Sequence, residues 1–140
     1  MKSIFQVIFL SLLMGSVFGC SKESPALTDA RKFYREMIQQ TNEYADRLAQ
    51  ERDSKSAAET LNKYIDGQKK LIEKGRELRM KYPKINLHDD PALKEYETAL
   101  EEASKNLTVA VTDAMKKYLS KEEFRKAMSR FDEIAGEAEK

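Results

Sequence analysis

Residues 24–51 read SPALTDARKFYREMIQQTNEYADRLAQE. Leu27, Ala30, Phe33, Tyr34, Met37, Ile38, Tyr44, Ala45 and Leu48 recur at steps of three and four, with Thr41 in the one gap. Side chains at those steps fall on one side of an α-helix, so this stretch predicts an amphipathic helix with one apolar stripe. Ser24 followed by Pro25 is a start signal. The serine hydroxyl can accept from a free backbone N–H, and proline is tolerated where no intrahelical donor is needed. The helix is expected to run to about Glu51.

The same grammar repeats downstream. Ser56-Ala57-Ala58-Glu59 has capping-box form. The stripe after it is Leu61, Tyr64, Ile65, Leu71, Ile72 and Leu78, reaching towards Tyr82, with Gln68 and Gly75 also on it. Gly75 costs about 1 kcal/mol against alanine in a helix interior; a close helix crossing or a kink would explain it, as would simple tolerance. Pro83 stops the run. Lys84 to Asp90, KINLHDD, alternates Ile85 and Leu87 with polar residues and is expected to lie on the bundle as an extended strap. Asp90-Pro91 opens a third helix, with Leu93, Tyr96, Leu100, Ala103, Leu107, Ala110, Val111, Ala114, Met115 and Tyr118 as its stripe. Ser120-Lys121-Glu122-Glu123 is a second capping box. Phe124, Ala127, Met128, Phe131, Ile134 and Ala135 follow, fading at Gly136. The fold class predicted is therefore all-α: a small antiparallel bundle of three long helices and a shorter C-terminal one, over residues 25–140. The short connections near 51–56 and 118–121 predict antiparallel neighbours.

Ahead of the bundle stands MKSIFQVIFLSLLMGSVFGC, residues 1–20. Lys2 is a short positive region. Ile4 to Met14 is almost wholly apolar, and Gly15, Ser16 and Gly19 are small. That is the layout of an export signal. The apolar run is shorter than the roughly 18–20 residues that span a hydrocarbon core. Cys20 is the only cysteine in the chain, so no internal disulfide can form.

Val17-Phe18-Gly19-Cys20 resembles the lipobox of bacterial lipoproteins. In that family an aliphatic residue stands three before an invariant cysteine and a small residue stands immediately before it. Phe18 departs from the pattern, which usually has a small or polar residue there. The resemblance covers about one seventh of the chain. It implies a diacylglyceryl group on the Cys20 thiol, cleavage between Gly19 and Cys20, and acylation of the new amino group. Residues 1–19 would then be the signal peptide and residues 20–24 a lipidated tether. Ser21, rather than aspartate, after the cysteine implies the outer membrane in a Gram-negative envelope. The competing uses of the segment are a plain secretory signal with a free thiol at Cys20, and a retained transmembrane anchor.

Charge narrows the function classes. Lys plus Arg number 25 and Asp plus Glu 24. A balanced domain lacks the electrostatic footprint of a nucleic-acid binder, and the total gives no basic block for an anionic bilayer. The pairs Glu43/Arg47, Glu77/Lys81, Glu101/Lys105, Asp113/Lys117 and Glu122/Lys126 read as solvated faces. The single histidine, His88, sits beside Asp89 and Asp90. A zinc site needs three or four assembled ligands, and Asp90 is wanted as a helix cap, so no metal is expected. Haem attachment motifs, G-x-S-x-G and phosphate loops are also missing. No cofactor and no catalytic set are expected.

Two features suit a binding surface. Tyr34, Tyr44, Tyr64, Tyr82, Tyr96 and Tyr118 are many tyrosines for a small domain. Most of their rings are expected at the core rim with hydroxyls in water, interface contact being the other use. Val109 points away from its helix stripe beside Thr108 and Thr112. It either packs on a neighbouring helix or is an exposed contact. Asn106-Leu107-Thr108 matches a glycosylation sequon, read as coincidence. The function expected is a lipid-anchored, non-catalytic interaction module with an envelope protein partner: scaffold, assembly factor, inhibitor or immunity-type protein. The alternatives are a carrier of a small apolar ligand or lipid in the bundle core, and a ligand-binder exposed on the cell surface.

Overall fold

The computed structural model describes residues 24–84 and 90–137. Cys20, Gly19, the Ile85/Leu87 strap and His88 lie outside the described residues. Four α-helices follow in order: α1 Pro25–Gln50, α2 Ser54–Lys81, α3 Lys94–Tyr118 and α4 Glu122–Glu137, with a 3₁₀ turn Pro91–Leu93 leading into α3. This is the all-α bundle of three long helices and one shorter one.

The ends are set by capping chemistry. Ser24 Oγ accepts from the Leu27 N–H at 3.2 Å, as its place before Pro25 predicts. α2 starts three residues earlier than its capping box implies. Asp53 is the cap, its Oδ1 accepting from the Ser56 N–H at 2.9 Å, and Ser56 is already inside the helix. Asp90 Oδ1 accepts from the Ala92 N–H at 2.9 Å, so Asp90-Pro91 initiates as expected, through a 3₁₀ turn. The second capping box is not formed as read. The Arg125 N–H donates to the Lys121 carbonyl, which makes Lys121 the residue at the cap position. Glu123 instead accepts from Ser54 Oγ across to α2.

Long-range contacts fix the directions. Asp29 meets Lys81, Glu36 meets Lys74 and Tyr44 meets Tyr64, so α1 and α2 are antiparallel. Arg35 meets Tyr96, and the Tyr118 hydroxyl donates to the Glu51 carbonyl at 3.0 Å, so α3 runs parallel to α1. Ser54 meets Glu123 and Arg130 meets Asn62 and Asp66, so α4 runs parallel to α2. Helix direction alternates along the chain. The pairs in closest contact are nevertheless α1 with α3 and α2 with α4, joined through the α1/α2 hairpin. The short α3–α4 turn reverses the chain, as its length predicts, and α4 then settles on α2.

The core has two parts. One gathers Leu48, Leu61, Tyr64, Ile65, Leu107, Phe124 and Phe131 from all four helices. The other gathers Tyr34, Met37, Leu71, Leu93 and Leu100 from the end that holds the start of α1. Between them lie buried polar side chains, Thr41, Gln68 and Ser104. Gln68 is 3% exposed and its Nε2 has no hydrogen-bond partner among the described residues. A buried amide donor left unsatisfied costs about 1–3 kcal/mol. Gln68→Leu is therefore expected to stabilise the fold by an amount in that range, read as a higher urea midpoint at unchanged slope. A lower midpoint would show that the amide has a partner in solution.

Gly67 faces α1, where a Cβ would meet the end of the Gln40 side chain and that amide would have to shift. Gly75 is buried within an uninterrupted α2.

Candidate functional site

The seam between α1 and α3 opens into two grooves. One, of about 410 Å³, is lined by Arg35, Ile38 and Gln39 of α1 and by Glu95, Tyr96 and Ala99 of α3. The other, of about 250 Å³, has Ala45, Leu48, Ala49, Ala110 and Ala114 among its apolar residues. Asp46, Asn106, Asp113 and Lys117 also line it, with Val109 beside them. Along α3 the lining positions 95, 99, 106, 109, 113 and 117 recur at helical steps, so both grooves lie on one side of the seam.

Local sequence explains the shape. Alanines on facing positions of both helices leave a shallow apolar floor where larger side chains would fill the seam. Val109 sits off the buried stripe and is 61% exposed, one of few large apolar side chains in that state. Val109 is thus exposed rather than buried against a neighbouring helix. Lys116 pairs with Asp113 at 3.0 Å, in place of the expected Asp113/Lys117 pair. At the other groove the Arg35 guanidinium donates to the Tyr96 hydroxyl at 3.0 Å and stands 5.6 Å over its ring. Chemically this is an apolar slot with a polar rim. It suits an apolar side chain or a helix ridge with polar flanks.

Tyr44, Tyr82, Tyr96 and Tyr118 are half-buried at the core rim, as expected of most of the rings, but Tyr34 and Tyr64 are buried and several hydroxyls bond protein groups. Tyr64 is buried, packed edge-on against Tyr44, and burial pushes its hydroxyl well above the usual phenol range. Tyr34 is buried too and its hydroxyl reaches Glu97 at 3.5 Å; burial and that carboxylate both raise it. Tyr82 donates to Asp29 at 2.8 Å, and Tyr118 donates to Glu51. Tyr34, Tyr82, Tyr96 and Tyr118 thus tie α1 to its neighbours. Of the expected pairs, Glu43/Arg47, Glu101/Lys105 and Glu122/Lys126 form. Lys81 turns to Asp29 of α1 instead of Glu77, and its hydrogen bond, with that of Tyr82, holds the Asp29 carboxyl below its usual range.

The balanced total conceals segregated charge, and here the reading of no basic block needs correction. Residues 69–84 carry seven Lys and Arg against two Glu, whereas residues 90–102 carry five Asp and Glu against one Lys. The sums cancel along the chain, but they sit on different helices of one end of the bundle.

Among the described residues no group of three or more His, Cys, Asp and Glu is placed to hold a metal ion, and no helix is long and apolar enough to cross a membrane. Asn106 is exposed on α3, but Leu107 of the sequon is buried. The chain matches no family model, no curated protein and no solved structure.

Proposed function

We propose that this protein is a lipid-anchored, non-catalytic interaction module of the bacterial cell envelope, held through Cys20, which docks an envelope protein along the α1/α3 seam. The observation that carries the docking reading is Val109, exposed beside an alanine-floored groove. Apolar side chains in such a setting act as anchors when a partner excludes water from them. The anchor reading draws on the lipobox-like Val17-Phe18-Gly19-Cys20 and on the short tether that follows. Ser21 directs it to the outer membrane of a Gram-negative cell.

A photo-crosslinking residue placed at 109 in intact cells tests the docking face. It is expected to trap one protein in stoichiometric yield, and a probe at exposed Lys63 on α2 is expected not to. Ala110→Asp, which puts a charge on the groove floor, should reduce that adduct by at least about tenfold, the equivalent of 1.4 kcal/mol. Equal trapping from both positions would remove the assignment of the seam.

A further inference from the structure

The end of the bundle that holds Ser24 also holds the end of α2. Lys81 and Tyr82 both bond Asp29, about one turn into α1. Three residues separate Cys20 from Ser24, so the four backbone steps between them reach at most about 14 Å. If Cys20 carries the lipid, as the proposed function holds, this end lies within that distance of the bilayer.

That end is polarised. Lys74 and Lys81 are paired with Glu36 and Asp29 of α1. Lys69, Lys70, Arg76, Arg79 and Lys84 are exposed and form no ion pair among the described residues. Beside them Met80 is 73% exposed, the most exposed large apolar side chain described. Arg130 meets Asn62 and Asp66, and α4 is described as far as Glu137, so by this register it stops short of Arg76, Arg79 and Met80. The first half of α3 offers the opposite sign, with Glu95, Glu101 and Glu102 exposed.

We infer that the basic second half of α2, with Met80 near its C-terminal end, is a contact surface for anionic phospholipid headgroups, which leans the anchored bundle α2-side down. Headgroup phosphates attract Lys69, Arg76, Arg79 and Lys84, and Met80 inserts between headgroups as an apolar wedge. The acidic start of α3 is repelled by the same surface. The attraction is confined to about one Debye length, 8 Å at physiological salt, and the short tether keeps the surface close to that range. The lean turns the α3 side away from the lipid.

The chain has no tryptophan, so Met80→Trp introduces a single reporter at an exposed position. The full-length chain, isolated from the envelope and reconstituted, is compared in vesicles of phosphatidylglycerol with phosphatidylethanolamine and in vesicles of phosphatidylcholine. Emission at 80 is expected to shift to the blue and to be quenched by brominated lipid only in the anionic vesicles. The shift should vanish at high salt and in the Arg76→Glu/Arg79→Glu background. Leu119→Trp, at the opposite end beside the α3–α4 turn, is expected to stay unshifted. A residue 80 equally solvated in both vesicles overturns the inference. So does a shift seen only in native envelopes, which would give this face to a protein. Intact mass on the same preparation tests the anchor separately. If the mass lacks the lipid, the chain is added to the anionic vesicles from solution. A shift at 80 then upholds the surface contact without the anchor, and no shift overturns it.

Discussion

Replacing Phe124 with alanine is expected to cost the fold about 3–5 kcal/mol. The ring is 0% exposed and stands edge-on to Tyr118 at 5.9 Å. It occupies the first turn of α4, just after a three-residue turn from α3, so it is the side chain that first commits α4 to the core. Phe131 and Ile134 continue the attachment further along. Removing the ring leaves a void among residues of all four helices that cannot close without moving α4. Small domains have about 5–15 kcal/mol in total, so the loss is a large share. Urea unfolding followed by circular dichroism reads it directly. A cost below about 1 kcal/mol would mean that α4 is not seated as described.

The second large effect concerns attachment. Wild-type protein is expected to take up metabolically supplied palmitate and to begin, by mass, at Cys20. Cys20→Ala is expected to abolish the uptake completely, because the thioether carbon–sulfur link has no other cysteine to use. The energetics make the loss decisive. Each buried CH₂ contributes about 0.8 kcal/mol, so two or three acyl chains hold firmly and none hold nothing. No helix among the described residues could substitute as a span. Palmitate uptake that persists in Cys20→Ala, or that is missing from the wild type, would sink the lipoprotein reading. A plain secretory signal would then be the better account of residues 1–19.

Helix existence was legible because the stripes are long and each has a start or stop residue with a mechanism. The beginning of α2 was not, because Asp53 and Ser56 are both competent caps and only geometry decides which carbonyl and N–H are free. Partner choice was less legible still. A short turn reveals that α4 reverses direction, but not that its apolar side fits α2 better than α3. Val109 was visible as a residue off its stripe. The alanines that give it a groove looked like ordinary core, since Ala45, Ala110 and Ala114 follow the same period as Leu48 and Leu107. Gly67 carried no signal at all, because the Gln40 amide that a methyl there would have to displace comes from another helix. The charge segregation between α2 and α3 was present in the residues and lost in the total.

The parallel pairing of α1 with α3 and of α2 with α4 bears on how the chain reaches its fold. The bonds that define these pairs join residues 61 to 69 positions apart. Contact order in this bundle is therefore set by distant partners, and folding is slower than for helices that pack on their sequence neighbours. A chain that emerges N-terminus first completes the α1/α2 hairpin before α3 or α4 exists. For that interval Leu61, Ile65 and Leu48 stand open to water with nothing yet to cover them. The hairpin is a template awaiting its second half, and the time it waits is when it needs a holdase most.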